Sequence, residues 1–172
     1  MDKLNEDFTN LYKRWNGGRN RKEDKIDKEA VLKFINDNHR NIDENKITMH
    51  DFCVDYDGNI IINKIDNLTF KFGKVTGCFR ATYFNLKNLK FMPKYVGGYL
   101  DISGNHLKSF KGCPEEVCGN FFASCCYKLE SLEGLPKHIR GNLLISTPNM
   151  PGKFTKDDIP EGTVIDGKIK II

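Results

Sequence analysis

The chain has 172 residues, with 27 Lys or Arg against 23 Asp or Glu, a formal net charge of +4. That length suits one domain, or one domain with a small appendage, and can bury a core that needs no disulfide or metal staple. A hydrophobic content of 39% excludes wholesale disorder, no apolar run reaches the roughly 18–20 residues of a membrane span, and so small a charge does not by itself specify a nucleic-acid binder.

The opening stretch MDKLNEDFTNLYKRW is polar and acidic, unlike a secretory signal, so a cytoplasmic location is expected. Leu4, Phe8, Leu11 and Tyr12 share one face at helical spacing. The basic segment Lys13–Lys22 follows, with Lys13, Arg14, Arg19, Arg21 and Lys22 around Trp15 and no acidic residue. Arginine beside an aromatic ring suits nucleic-acid backbone and base stacking. The plainer alternative is a solvated loop, because Glu23 and Asp24 follow at once and residues 1–46 hold 11 basic against 10 acidic residues. Asp27 reads as the N-cap of a second helix carrying Ala30, Val31, Phe34 and Ile35. Residues 1–46 are expected to form a helical N-terminal cap with a basic segment.

The densest polar cluster is His50, Asp51, Asp55 and Asp57. A calcium-loop reading with Gly58 at position six puts Cys53 and Lys64 at positions one and twelve, where carboxylates are needed. Asp57-Gly58 between β-forming residues instead predicts a hairpin turn. Ile60-x-Ile62, then Ile65 and Leu68, open an incomplete copy of the repeat that follows.

Four segments share V/I-x-G-x-(F/L)-x-(A/I)-(S/T), beginning at Val75, Val96, Val117 and Ile139, which are 21, 21 and 22 residues apart. In the first three a second half follows: Leu86, Leu89, Met92, Pro93; Leu107, Phe110, Cys113, Pro114; Leu129, Leu132, Leu135, Pro136. The alternation Phe79-x-Ala81 and its counterparts point two residues to one face of a short strand. Stacked copies then pair side by side about 4.8 Å apart, and the leucines return the chain along the other side. The glycine before each strand allows a left-handed or a close-packed corner. Gly97-Gly98 belongs to that corner by register. After Ile145 the repeat is expected to dissolve, with Thr163–Ile165 and Lys168–Ile172 closing as a hairpin about Asp166-Gly167.

These residues predict a mainly β fold, a small solenoid of about four to five coils, α+β overall once an N-terminal helical cap and a C-terminal β-hairpin cap are added. Its segments are 1–46, the solenoid 47–147 and a C-terminal capping segment 148–172. Cys53, Cys78, Cys113, Cys118, Cys125 and Cys126 are expected as free thiols, since C-x4-C-x6-C-C lacks zinc-ligand pairing. Cys113 shares the apolar position of Met92 and Leu135. No metal or cofactor is expected. No GxSxG, HExxH, Walker loop or GxGxxG is present, so no enzyme is expected.

The motif VGGYLDIS alternating with LKSFKGCPEE resembles the short leucine-rich-repeat-like proteins of large tailed bacteriophages and some bacteria, over roughly residues 47–147. The resemblance implies a non-enzymatic recognition scaffold without shared catalytic residues. The chain departs from the pattern at the repeat asparagine, where Asn105 is matched by Tyr127.

Stacking would place Lys87, Lys108 and Glu130 in one stripe and Lys90, Lys111 and Glu133 in another. Such stripes are either solvated or meet an acidic partner or a phosphate backbone. The outward strand row reads Ile61, Arg80, Asp101, Phe122, Leu144, with Phe122 and Leu144 either an interaction patch or covered by the C-terminal segment. Residues 64–111 hold nine Lys or Arg against Asp66 and Asp101, so the small total conceals a basic middle of +7. The candidate binding residues are therefore Arg80, Lys87, Lys90, Asp101, Lys108, Lys111, Phe122 and Leu144. The expected function is protein binding by a phage accessory protein, acting on a host or phage protein in host takeover or counter-defence. The alternative is nucleic-acid binding through Lys13, Arg14, Trp15, Arg19, Arg21 and Lys22 with the lysine stripes. No membrane partner is expected, and a phage-encoded chain would act in the host cytoplasm.

Overall fold

The computed structural model describes residues 26–38, 43–50, 53–64 and 69–172. The first expected helix, the basic segment Lys13–Lys22 and the residues Asp51, Ile65 and Leu68 lie outside them. Among the described residues one α-helix, α1 (Lys28–Asp37), begins where Asp27 Oδ1 accepts the Glu29 amide at 2.9 Å, as an N-cap carboxylate does. It buries Val31 and Phe34, and the Phe34 ring meets Phe70 and Phe72 edge-on at 5.4 and 5.8 Å. The buried Asn38 joins the helix to the strands. Its amide donates to the Lys64 carbonyl at 3.1 Å, and its Oδ1 accepts from the Asn63 and Lys64 amides at 2.8 and 3.1 Å.

Thirteen short strands among the described residues build two sheets facing each other as a β-solenoid. The first sheet runs β1 (Ile47–Met49), β2 (Val54–Tyr56), β4 (Phe72–Val75), β6 (Tyr95–Val96), β8 (Glu116–Val117), β10 (His138–Ile139), β12 (Val164–Ile165). The second runs β3 (Ile60–Ile61), β5 (Phe79–Arg80), β7 (Leu100–Asp101), β9 (Phe121–Ala123), β11 (Leu143–Ile145), β13 (Ile169–Ile171). Every pairing is parallel except β1 with β2. The alternating apolar residues explain this. Val75, Val96, Val117 and Ile139 face Phe79, Leu100, Phe121 and Leu143 across the interior, all fully buried. Apart from the β1–β2 hairpin and the end strands, each strand satisfies its backbone on the coils before and after it, since it has no partner within its own coil. The returning leucines, from Leu86 to Leu135, fill the third side as turns and irregular backbone. No helix among the described residues is long and apolar enough to cross a membrane.

Three expectations are corrected. Asp57-Gly58 does not close a hairpin: it is a corner between β2 and β3, which lie in different sheets, because Tyr56 and Ile60 both point into the core. The antiparallel hairpin here pairs β1 with β2. Nor does the repeat dissolve into a closing hairpin at Asp166-Gly167. Ile165-x-Gly167-x-Ile169-x-Ile171 is a further corner, with β12 parallel to β10 and β13 parallel to β11. Residues 148–163 loop out between them, around a short 3-10 turn at Lys156–Asp158 held by a Thr155–Asp158 capping box. Finally, Tyr127 does not match Asn105. Cys126 takes that interior place, fully buried, while Tyr127 is exposed.

The corner glycines answer the choice between left-handed and close-packed backbone. Of them only Gly58 has positive φ, +140°. A Cβ on Gly98 would lie 2.5 Å from Cys78 Sγ and 2.9 Å from the Cys78 amide nitrogen, closer than real Cβ atoms approach. The positive-φ position lies elsewhere, at Tyr83, Gly104 and Cys125 in successive coils, with φ of 61°, 69° and 55°.

Candidate functional site

The outward residues of the second sheet form one continuous row. Register pairs Ile61 with Arg80, Arg80 with Asp101, Asp101 with Phe122, Phe122 with Leu144 and Leu144 with Lys170. Arg80 Nε lies 3.9 Å from Asp101 Oδ2, and Asp101 also accepts the Ser103 amide at 3.1 Å. Phe122 and Leu144 are half-buried. The C-terminal strand extends their row with Lys170 and does not cover them. Tyr99, just past the Gly98 corner, meets the Phe122 ring edge-on at 6.1 Å. Sequence reasoning missed Tyr99 and Lys170. The register of Gly98 and Gly167 as equivalent corners would have found both.

The lysine stripes behave differently from a continuous basic strip. Lys108 Nζ lies 2.9 Å from Glu130, and Lys111 Nζ lies 2.9 Å from Glu133, each one coil further on. The hydrogen bond from Lys108 holds the Glu130 carboxyl below its ordinary pKa. Lys87 and Lys90 are exposed, and no carboxylate among the described residues forms an ion pair with either. Among the described residues, Lys87 and Lys90 are therefore the rungs of the two stripes that meet no carboxylate.

The outer face of the first sheet carries a polar network that the sequence did not announce. Lys74 Nζ sits 5.5 Å from the centre of the Tyr95 ring, and the Cys118 thiol hydrogen-bonds the Tyr95 hydroxyl at 3.2 Å. That bond, then burial, pushes the Tyr95 pKa up to about 12. Arg140 grips Glu116 Oε1 with Nε at 2.8 Å and Nη2 at 2.7 Å, and His138 Nε2 lies 2.9 Å from Asp166 Oδ2. Of the polar cluster near the start, His50 pairs with Asp55 at 3.0 Å. Asp55 Oδ1 also accepts the Lys74 amide at 2.6 Å, so this carboxylate is a backbone fastener. Asp57 accepts instead from a side chain, the Thr76 hydroxyl at 2.6 Å, whose oxygen in turn accepts the Gly58 amide at 2.9 Å.

All six cysteines are free. Among the described residues no group of three or more His, Cys, Asp or Glu is placed to hold a metal ion. Burial pushes the Cys113 thiol well above its ordinary pKa, with Cys126 beside it as a lesser cause. No family model, curated protein or solved structure matches the chain.

Proposed function

We propose that the chain is a non-enzymatic protein-interaction scaffold of the bacteriophage-type leucine-rich-repeat-like kind. It would engage a host or phage protein in the cytoplasm, the host's cytoplasm if the chain is phage-encoded. The observation that supports this most is the outer row of the second sheet. There Tyr99, Phe122 and Leu144 form a half-exposed apolar strip, with the Arg80–Asp101 pair at one end and Lys170 at the other. Apolar centres with charged margins are the pattern of protein-binding patches. The nucleic-acid alternative draws on Lys13–Lys22, which lies outside the described residues, and on the lysine stripes; in those stripes Lys108 and Lys111 are already paired with glutamates, which interrupts a track for a phosphate backbone.

The test is affinity capture from host lysate with three forms: wild type, Phe122→Arg/Leu144→Arg and Lys87→Glu/Lys90→Glu. A stoichiometric protein partner lost with the first variant and kept with the second supports the reading. Salt-steep retention of nucleic acid, or no saturating partner at any salt, overturns it.

A further inference from the structure

The backbone bonds of the second sheet all step the same way. The inward residues Phe79, Leu100, Phe121 and Leu143 each donate an amide to a carbonyl of the following coil, at 2.9, 2.9, 2.8 and 2.9 Å, the last acceptor being Lys168. Ile169 comes next in that column, so its amide and carbonyl face a coil that the described residues do not supply. In the first sheet the Val75, Val96, Val117 and Ile139 carbonyls accept the amides of the next coil's corner, Gly97, Cys118, Arg140 and Asp166. Ile165 follows Ile139 in register and faces the same open side. Nothing among the described residues takes these groups of Ile165 or Ile169. Their side chains are likewise only partly covered, whereas Ile139 and Leu143 before them have no exposed surface, and Val164 is 52% exposed.

Two open edges thus meet at the Gly167 corner, β12 running toward it and β13 away from it. A twofold axis through that corner lays each β12 antiparallel on the β13 of a second copy, and such an assembly closes at two. Counting outward from Gly167, Asp166 of one copy meets Lys168 of the other, Ile165 meets Ile169 and Val164 meets Lys170. Ile165 and Ile169 each aim both backbone groups at the edge, as a hydrogen-bonded antiparallel pair requires. Both point inward, so their pairing continues the apolar interior across the junction. On the outside, Lys168 forms no ion pair among the described residues, and Asp166 gives Oδ2 to His138 at 2.9 Å while Oδ1 makes no hydrogen bond there. The exposed Val164 meets the aliphatic stem of Lys170. The opposite end of the stack offers no matching surface. There α1 packs Phe34 on Phe70 and Phe72, and the first sheet finishes on the antiparallel β1, so head-to-tail stacking cannot continue both ladders. We infer that the chain binds a second copy of itself end to end about the Gly167 corner, through paired β12 and β13 edges and reciprocal Asp166–Lys168 contacts. This surface is separate from the Phe122 and Leu144 row, and it adds a like partner to the unlike one proposed above.

Sedimentation velocity of the full chain over a range of concentrations tests this, with Asp166→Lys, Lys168→Glu, an equimolar mixture of the two, and Phe122→Arg/Leu144→Arg. Wild type should sediment as a dimer that dissociates on dilution. Either charge variant alone sets like charges together at both contacts and should weaken the dimer about tenfold or more. In the mixture the introduced lysine meets the introduced glutamate and the native Lys168 meets the native Asp166, so dimers should return. Circular dichroism checks that each variant is folded. Amide exchange of wild type gives a reading that needs no variant: Ile165 and Ile169 should become protected as concentration rises. A monomer at every concentration would show that Lys168 and Lys170 guard these edges instead, and would overturn the inference. So would growth beyond two copies, folded charge variants that stay monomeric when mixed, unprotected Ile165 and Ile169 amides in a dimer, or a dimer lost in Phe122→Arg/Leu144→Arg. A dimer kept in that last variant, after its captured partner is lost, separates the two surfaces.

Discussion

Asn105 and Cys126 occupy the same interior position in successive coils, both with no exposed surface. Asn105 accepts the Phe84 and Leu86 amides at 3.1 Å each and donates to the Ala81 and Ile102 carbonyls at 2.7 and 2.8 Å. Cys126 Sγ reaches the Ser124 carbonyl at 3.8 Å and accepts a bond from the Asn105 backbone. One coil is thus tied by four bonds of a buried amide and the next by the weaker bonds of a thiol.

Asn105→Ala should destabilise the protein by about 2–4 kcal/mol, since two buried amides and two carbonyls lose their partner. Cys126→Ala should cost about 1 kcal/mol, the loss of one small buried group. Urea unfolding of both variants measures the contrast, and equal costs would show that Asn105 is not a tie between coils.

The tight corners predict a second contrast. Gly98→Ala should cost about 1–3 kcal/mol by overpacking against Cys78. Gly152→Ala, at φ +77° with nothing within 4 Å of the added carbon, should cost about 1 kcal/mol from backbone strain alone. Adding Cys78→Ala should recover part of the first loss and none of the second.

Acid sensitivity follows from Glu115. The hydrogen bond from Lys137, with Lys94 assisting, holds its carboxyl below the ordinary pKa. A folded-state value lower than the unfolded one, about 4.3, means that the stabilisation is complete above that pH. It is lost as pH falls through the folded value. Solvent screening limits it to about 0.5 kcal/mol. Stability curves of wild type and Glu115→Gln should therefore converge once the pH falls below that lowered folded-state value, and should also converge at high salt.

Thiol reactivity should divide by burial. Cys53 and Cys126, with pKa values raised to about 12 and about 11 chiefly by desolvation, hold well under about one part in a hundred thiolate at pH 8. Iodoacetamide at pH 8 should leave both unmodified in native protein and alkylate both in urea, read by peptide mass spectrometry. Native labelling of either would contradict its burial.

The equal steps from Val75 to Ile139 made the stacking legible before any coordinates, and with it the rows Arg80–Asp101–Phe122–Leu144 and Lys108–Glu130. What stayed hidden has two physical sources. A two-residue Asp-Gly signal marks a tight reversal, and a hairpin within one sheet and a corner between two sheets both need one; Asp57-Gly58 and Asp166-Gly167 are corners. The extra residue between Val117 and Leu129 leaves the match to Asn105 undecided between Cys126 and Tyr127 until the core makes the choice. Corner asparagines escaped for the same reason. Asn59, Asn120 and Asn142 each accept the amide of the following coil's corner residue, at 2.8, 2.7 and 2.8 Å, but they align only once all corners are recognised.

The excursion at residues 148–163 has a consequence for how such a chain can change. It lengthens the step from Ile139 to Ile165 to 26 residues, yet the strands on both sides keep the same parallel register. Length is absorbed outside the two ladders, so this stretch is a natural port for inserted sequence. A foreign peptide spliced between Gly152 and Lys153 would be displayed from a rigid stem whose stacking it does not disturb.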